Sequence, residues 1–318
     1  MRDAGATAVE EMAYTLANGL AYLDELKARD GDIARLAQSL SFFFYVHMDV
    51  FEEASKFRAA RRIWANLLRE RYGIEDEKGQ RFRFGVVCGG SSLTAGQPYN
   101  NIVRVGLENF AAVLGGAQSI FTCAYDEAFQ IPTEFSAEIA LRTQQIVAYE
   151  SGAARTVDPL GGSYYVEWLT DQMEAGILKV MDEIDVYGGV IKAIEDGYLQ
   201  MRVADRARER KQMTDDGERV VVGENFFTRD GQTNDYGEVF KLNPDGARCI
   251  VEKYEALLER RNDAEVKWCL DRFERAAEDA GENVMPYLVD CCHAYATVGE
   301  MVARLKRQWG EFKEPVRF

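Results

Sequence analysis

Ser92-Leu93-Thr94-Ala95-Gly96-Gln97-Pro98-Tyr99-Asn100-Asn101-Ile102-Val103-Arg104, continued by Leu114-Gly115-Gly116-Ala117-Gln118-Ser119, decides the fold of this chain. A polar loop with one proline runs into a helical pattern from Asn101 to Leu114, and two glycines then turn the chain into an apolar run from Ala117 to Thr122. Upstream, Phe82 to Cys88 is another short apolar run. Runs this short and continuous read as strands buried on both faces, and strand, helix, strand at this spacing predicts βα units of a parallel sheet.

The same alternation extends outward. Leu40 to Val46 predicts an earlier strand, preceded by an amphipathic helix from Thr7 to Lys27 and a short one from Ile33 to Gln38. A helix from Asp49 to Arg71 follows, with Phe51, Ala54, Phe57, Trp64 and Leu68 on one face, and then a charged turn from Glu75 to Gln80. Beyond Ala124 the pattern becomes helical: Thr133 to Glu150, Glu167 to Val186, Gly189 to Lys211, Pro244 to Arg261, Ala264 to Ala280, Val284 to Tyr295 and Thr297 to Trp309. Between them, Asp215 to Asp235 reads as a loop with a short strand at Val220 to Val222.

Composition narrows the partners. The 318 residues are 47% hydrophobic, enough for a substantial buried core, and a net charge of -15 disfavours a nucleic-acid backbone or an anionic membrane surface as the main partner. The start, Met1 to Ala6, has no apolar signal core, and no apolar stretch approaches the ~20 residues of a membrane span, so the expected location is cytoplasmic. The six cysteines form no C-x-x-C pair and are expected to be reduced thiols.

Together with Pro132-Thr133-Glu134 and Asp158-Pro159-Leu160-Gly161-Gly162-Ser163-Tyr164-Tyr165, the two opening segments resemble the coenzyme B12-dependent acyl-CoA mutases, the methylmalonyl-CoA mutase family. The likeness runs the length of the chain. It implies an α/β fold: the C-terminal part of a (β/α)8 TIM barrel, with Leu40 to Val46, Phe82 to Cys88 and Ala117 to Thr122 as strands six to eight in residues 1–132. A mostly helical extension would occupy residues 133–318. Strands one to five have no counterpart, and a barrel cut there exposes edge strands and interior side chains. A partner chain supplying strands one to five is therefore expected; self-association into another closed sheet is the alternative.

The resemblance further implies an acyl-CoA substrate and adenosylcobalamin as cofactor. Family members ligate cobalt through a histidine in Asp-x-His-x-x-Gly, which neither His47 nor His293 matches, so cobalamin is expected to enter mainly through a separate cobalamin-binding subunit. The family's carbonyl-contacting histidine would lie just before Met1, on a partner. Its His-Cys-Gln-Thr-Ser-Gly-Trp-Ser-Leu segment aligns with Gly85 to Leu93, so Gly85 and Val87 replace a histidine and a glutamine that face the substrate and the adenosyl moiety in the family. Glu127 keeps the carboxylate that approaches the adenosyl ribose, Cys123 replaces an asparagine, and Gly115-Gly116 is expected on the cofactor face. Ser41 falls near the expected CoA path, and His47 follows the sixth strand where a substrate site could use it.

Simpler roles compete with each assignment. Asp126 and Glu127 could cap a helix starting near Ala128, Tyr99 to Asn101 could form an N-cap, and Gly115-Gly116 could only turn the chain. Cys88 and Cys123 fall at strand ends, where a packed thiol competes with a reactive one, and His47 could be a satisfied polar residue at a strand end. Three functional readings follow: an active split mutase with an altered acyl substrate, a non-catalytic mutase subunit, and an acyl-CoA-binding enzyme without radical chemistry.

Overall fold

In the computed structural model, which describes residues 1–228 and 239–314, a 3-10 turn at Arg2–Ala4 leads into helix α1 (Ala8–Ala28) and a short α2 (Ile33–Ser39). Strand β1 (Phe42–Val46), helix α3 (Val50–Tyr72), the single turn α4 (Glu77–Gln80), strand β2 (Phe84–Cys88), helix α5 (Asn100–Leu114) and strand β3 (Ser119–Phe121) follow. The sheet has three parallel strands in the order β1-β2-β3. Each crossover is helical, as parallel neighbours require.

Local signals set the boundaries. The Thr7 hydroxyl accepts from the Glu10 amide while Glu10 reaches back to the Thr7 amide, a capping box that starts α1. Asp49 caps α3 through the Glu52 amide, and Gly73, in the left-handed region, ends it.

The two faces of the sheet differ. Phe42, Phe44 and Val46 of β1 and Phe84, Val86 and Cys88 of β2 are buried, most of them beneath α3, where Phe57 stacks on Phe84 at 4.6 Å and Trp64 meets Phe42 edge-on at 4.9 Å. The alternate residues line the other face. There Phe43 is 62% exposed and Phe121 59% exposed, on a sheet surface that no helix covers among the described residues.

Helices α6 (Glu134–Tyr149), α7 (Tyr164–Tyr187), α8 (Val190–Glu195) and α9 (Tyr198–Asp215) complete this first unit, Met1–Phe240. Helix α7 packs on α1 and α3, burying Met173, Ile177, Met181 and Ile184 in the same core as the sheet. The continuous helix expected from Gly189 to Lys211 is instead two, broken at Asp196–Gly197. Val220 to Val222 is not a strand: Val222 makes one isolated bridge to Phe226. The rest of that expected loop, residues 229–235, lies outside the described residues.

The second unit, Lys241–Glu314, contains α10 (Pro244–Arg260), α11 (Asp263–Glu278), α12 (Met285–His293) and α13 (Val298–Trp309). Phe273, Leu270, Cys269 and Cys291 form its core. The break by packing thus falls after Phe240, and α6 to α9 belong with the sheet. No helix is long and apolar enough to cross a membrane among the described residues.

Candidate active site at the carboxyl end of the sheet

One residue past β1, His47 is buried, and its Nε2 lies 3.0 Å from Asp3 Oδ1. The Ser91 hydroxyl donates to the same oxygen at 2.8 Å. Burial tends to raise the Asp3 carboxyl, but the bonds from His47 and Ser91 outweigh it and hold the group below its ordinary range. For His47, burial dominates and lowers the imidazole below its usual value despite the neighbouring carboxylate. In its neutral form, which burial favours, His47 donates from Nε2 to the Asp3 carboxylate and leaves Nδ1 as a lone-pair acceptor.

The ring fits because residue 89 is glycine. A Cβ there would lie 2.3 Å from His47 Cδ2, closer than any real contact. The turn Gly89 to Ser92 is tied to β1 by the Gly89 amide, which donates to the Val46 carbonyl at 2.8 Å. Over the adjacent Gly90, a Cβ would lie 3.5 Å from Glu127 Cγ and 3.8 Å from Asp3 Oδ2, so Asp3 and Glu127 approach a common hollow. Burial, with Asp126 and Asp3 nearby, raises the Glu127 carboxyl.

A buried ionic network fixes the floor. Lys56, wholly buried in α3, bonds Glu11 at 2.9 Å and also Glu53, while Arg2 bonds Glu53 at 2.9 Å. Lys56 further donates to the Tyr45 carbonyl at 2.7 Å, and Glu11 accepts from the Tyr45 amide at 2.8 Å. Side chains thus occupy the outward backbone groups of β1 at its carboxyl end.

On the uncovered face, Gly85 stands opposite Phe43 and Ser119, and Val87 between Tyr45 and Phe121. A Cβ on Gly85 would lie 3.0 Å from the Phe43 ring, so Phe43 occupies much of the room expected from the missing histidine. Ser41 is exposed just before β1, at the opposite end of the strand from His47 and roughly 20 Å from it by strand rise.

The structure therefore brings together His47 and Glu127, with Gly85 and Val87 on the adjoining face and Ser41 at its far rim. Of the other three expected cofactor contacts, Cys123 stands close to Glu127 and Asp3, whereas Gly115 and Gly116 lie at the other end of the sheet. Cys123 is buried and its thiol donates to the Cys88 carbonyl at 2.9 Å, and burial pushes it up to about 12. Gly115 and Gly116 precede β3, at the amino end of the sheet. There Arg61 donates to the Gly115 carbonyl at 2.5 Å, a Cβ on Gly115 would lie 2.7 Å from the Phe57 ring, and Gly116 has φ 76°.

The simpler roles fare unevenly. No helix begins at Ala128: Tyr125 to Ile131 is a turn, and α6 starts at Glu134 behind a Thr133 cap. Tyr99 holds the N-cap position of α5 without a side-chain cap bond, and Asn101, inside the helix, is a fully buried bracket, donating to the Thr94 and Tyr125 carbonyls at 2.9 and 2.8 Å and joining the loops after β2 and β3. Asp3, Ser91 and the buried Glu108 of α5 were not among the expected site residues. The signal for Glu108 is an acid on the same helical face as the buried Val105 and Ala112; Asp3 and Ser91 carry none.

The structure is thus a mixed α/β arrangement whose three parallel strands carry carboxylates and an imidazole at their carboxyl ends, consistent with part of a βα barrel. The sequence model for methylmalonyl-CoA mutase matches residues 1–311. The large subunit of 2-hydroxyisobutanoyl-CoA mutase from Aquincola tertiaricarbonis is 39% identical over 98% of this chain and 55% of its own length. Human mitochondrial methylmalonyl-CoA mutase is 38% identical over 98% of the chain and 42% of its own length, and the Rhizobium meliloti methylmalonyl-CoA mutase 36% identical over 98% and 44%. This chain belongs to the methylmalonyl-CoA mutase family and spans about half the length of these relatives.

Proposed function

We propose that this chain supplies the last three strands and the helical extension of an adenosylcobalamin-dependent acyl-CoA mutase, residues 1–132 and 133–318 respectively. In this reading a separate polypeptide contributes strands one to five and the carbonyl-contacting histidine, and a separate subunit carries cobalamin. The supporting observation is the uncovered sheet face, whose Phe43, Val87 and Phe121 would line a barrel interior while His47, Asp3 and Glu127 stand at its carboxyl end.

Adenosylcobalamin, when bound, would supply the radical chemistry. The residues here fit its adenosyl end rather than its cobalt: Glu127 and Asp3 offer carboxylate acceptors for ribose hydroxyls around Gly90. No cluster of metal-ligating side chains occurs among the described residues. This chain's part is to shape the pocket, exclude water and hold those acceptors in place. With Gly85 and Val87 in place of polar groups, the lining favours an acyl group bulkier or less polar than methylmalonyl, and His47 Nδ1 offers it one acceptor.

The second reading, a non-catalytic subunit, is favoured by those same two polar losses. Co-expression with candidate family chains bearing strands one to five, followed by size measurement and an acyl-CoA rearrangement assay with adenosylcobalamin, tests the proposal. A soluble hetero-complex that turns over a branched or aryl acyl-CoA is expected. A well-behaved monomer alone contradicts the split barrel, and an intact complex inert towards every acyl-CoA contradicts the catalytic reading.

A further inference from the structure

Glu108 is wholly buried behind the site, on the α5 side of the sheet. Its Oε1 is hydrogen-bonded to the Ser92 hydroxyl, and its Oε2 is buried with no partner among the described residues. The Ser92 hydroxyl also lies 2.8 Å from the Gly89 carbonyl, which accepts the Ser92 amide at 3.1 Å as well. A hydroxyl has one proton to give. If Ser92 gives it to Gly89, its bond to Glu108 exists only when Glu108 is the donor. If Ser92 gives it to an ionised Glu108, the turn loses its side-chain tie and a buried carboxylate keeps one bare oxygen, the costlier arrangement.

We infer that Glu108 works as a neutral carboxylic acid, donating to Ser92, which donates to the Gly89 carbonyl, and that this relay positions the Gly89–Ser92 turn of the active site. Glu108 is a positioning residue. The turn carries the glycine against which His47 packs and the Ser91 hydroxyl that holds Asp3. The groups facing Glu108 agree with a neutral acid. Asp3 from the N-terminal turn and Glu53 of α3 repel a negative charge, and the Cys88 and Cys123 thiols beside it bring none. Arg104, one turn back on α5, attracts a charge on Glu108 but makes no hydrogen bond to it, its guanidinium being spent on Thr94, Asn101 and the Val222 carbonyl. Burial, the largest influence, raises the Glu108 carboxyl to about 8, against the smaller opposing effects of the Ser92 hydroxyl and the Gly89 backbone.

That the turn serves catalysis rests on the mutase reading; the protonation state does not. The test uses the full chain in the assembly in which it is soluble. Infrared difference spectra between wild type and Glu108→Gln should show a carboxylic-acid carbonyl band, present near neutral pH and lost in alkali. The His47 imidazole signal, followed by NMR to alkaline pH, should show a second inflection in step with that loss. Glu108→Gln, which keeps a donor towards Ser92, should abolish the inflection and hold the neutral-pH signal in place, whereas Glu108→Leu should shift it at every pH. Should Glu108→Gln fail to fold, Ser92→Ala provides the second case, in which the inflection should also disappear. Absence of the band, or a His47 inflection indifferent to these substitutions, overturns the inference. Neither readout requires turnover, so an inert complex with both signals intact defeats the mutase reading alone. An active one whose alkaline loss of rate survives Glu108→Gln removes Glu108 from the site.

Discussion

His47 Nε2 stands 3.0 Å from Asp3 Oδ1, so the first ordered turn of the chain is fastened to the carboxyl end of β1 by an imidazole–carboxylate bond. Because burial holds His47 below its usual value while Asp3 opposes that shift, removing the charge should lower it further. In Asp3→Asn the imidazole should titrate at lower pH than in wild type, read by NMR. An unchanged or higher value contradicts the assignment.

Gly89→Ala places a methyl group 2.3 Å from the His47 ring. The ring must leave its position or the turn must move, at a cost of about 1–3 kcal/mol in stability by denaturant unfolding. Unaltered stability together with an unaltered His47 titration would mean that the close approach is not real.

Lys56→Met removes the cation shared by Glu11, Glu53 and the Tyr45 carbonyl. Two buried carboxylates lose their common partner, with only Arg2 left on Glu53, and the expected loss is about 3–5 kcal/mol. A loss below ~1 kcal/mol would show that the network is solvated.

Glu108 makes stability depend on pH. Its folded value, about 8, lies above its ordinary 4.5, so the folded chain holds a proton that the unfolded chain has released. The associated stability is fully present below the ordinary value and is lost, at roughly 1.4 kcal/mol per pH unit, as pH rises to about 8. Glu108→Gln should remove this slope, so its advantage over wild type should grow through that window and then level off. Parallel stability curves for the two proteins would contradict a raised Glu108.

Val87→Gln restores the family's amide between Tyr45 and Phe121. If this face holds the acyl group, turnover of the native acyl-CoA should fall several-fold, because a polar group is introduced where the substrate offers it no partner. Unchanged turnover places Val87 away from the acyl group.

The sheet was legible because βα units carry strong local signals. Continuous apolar runs at 42–46 and 84–88, with amphipathic helices between them, leave few other folds. The break at Asp196–Gly197 was hidden because apolar periodicity continues across it. Val220 to Val222 looked like a strand but has only a one-residue bridge to pair with, since β propensity does not supply a neighbour. At the candidate site, the bond from His47 to Asp3 spans 44 positions and leaves no trace in local pattern. Cys123 follows β3, but a strand-end position does not say which way a side chain turns, and its thiol donates to the Cys88 carbonyl.

Cobalamin-dependent rearrangement of a panel of branched and aryl acyl-CoAs by the assembled complex, wild type against Glu127→Gln, separates a mutase from a scaffold. The substitution keeps the size and most hydrogen bonding of a side chain that is exposed at the Gly90 hollow, so the complex should remain intact. Wild type is expected to turn over at least one acyl-CoA and Glu127→Gln to lose rate about tenfold or more, the equivalent of ~1.4 kcal/mol or more at the transition state. No turnover by an intact wild-type complex would contradict the catalytic reading.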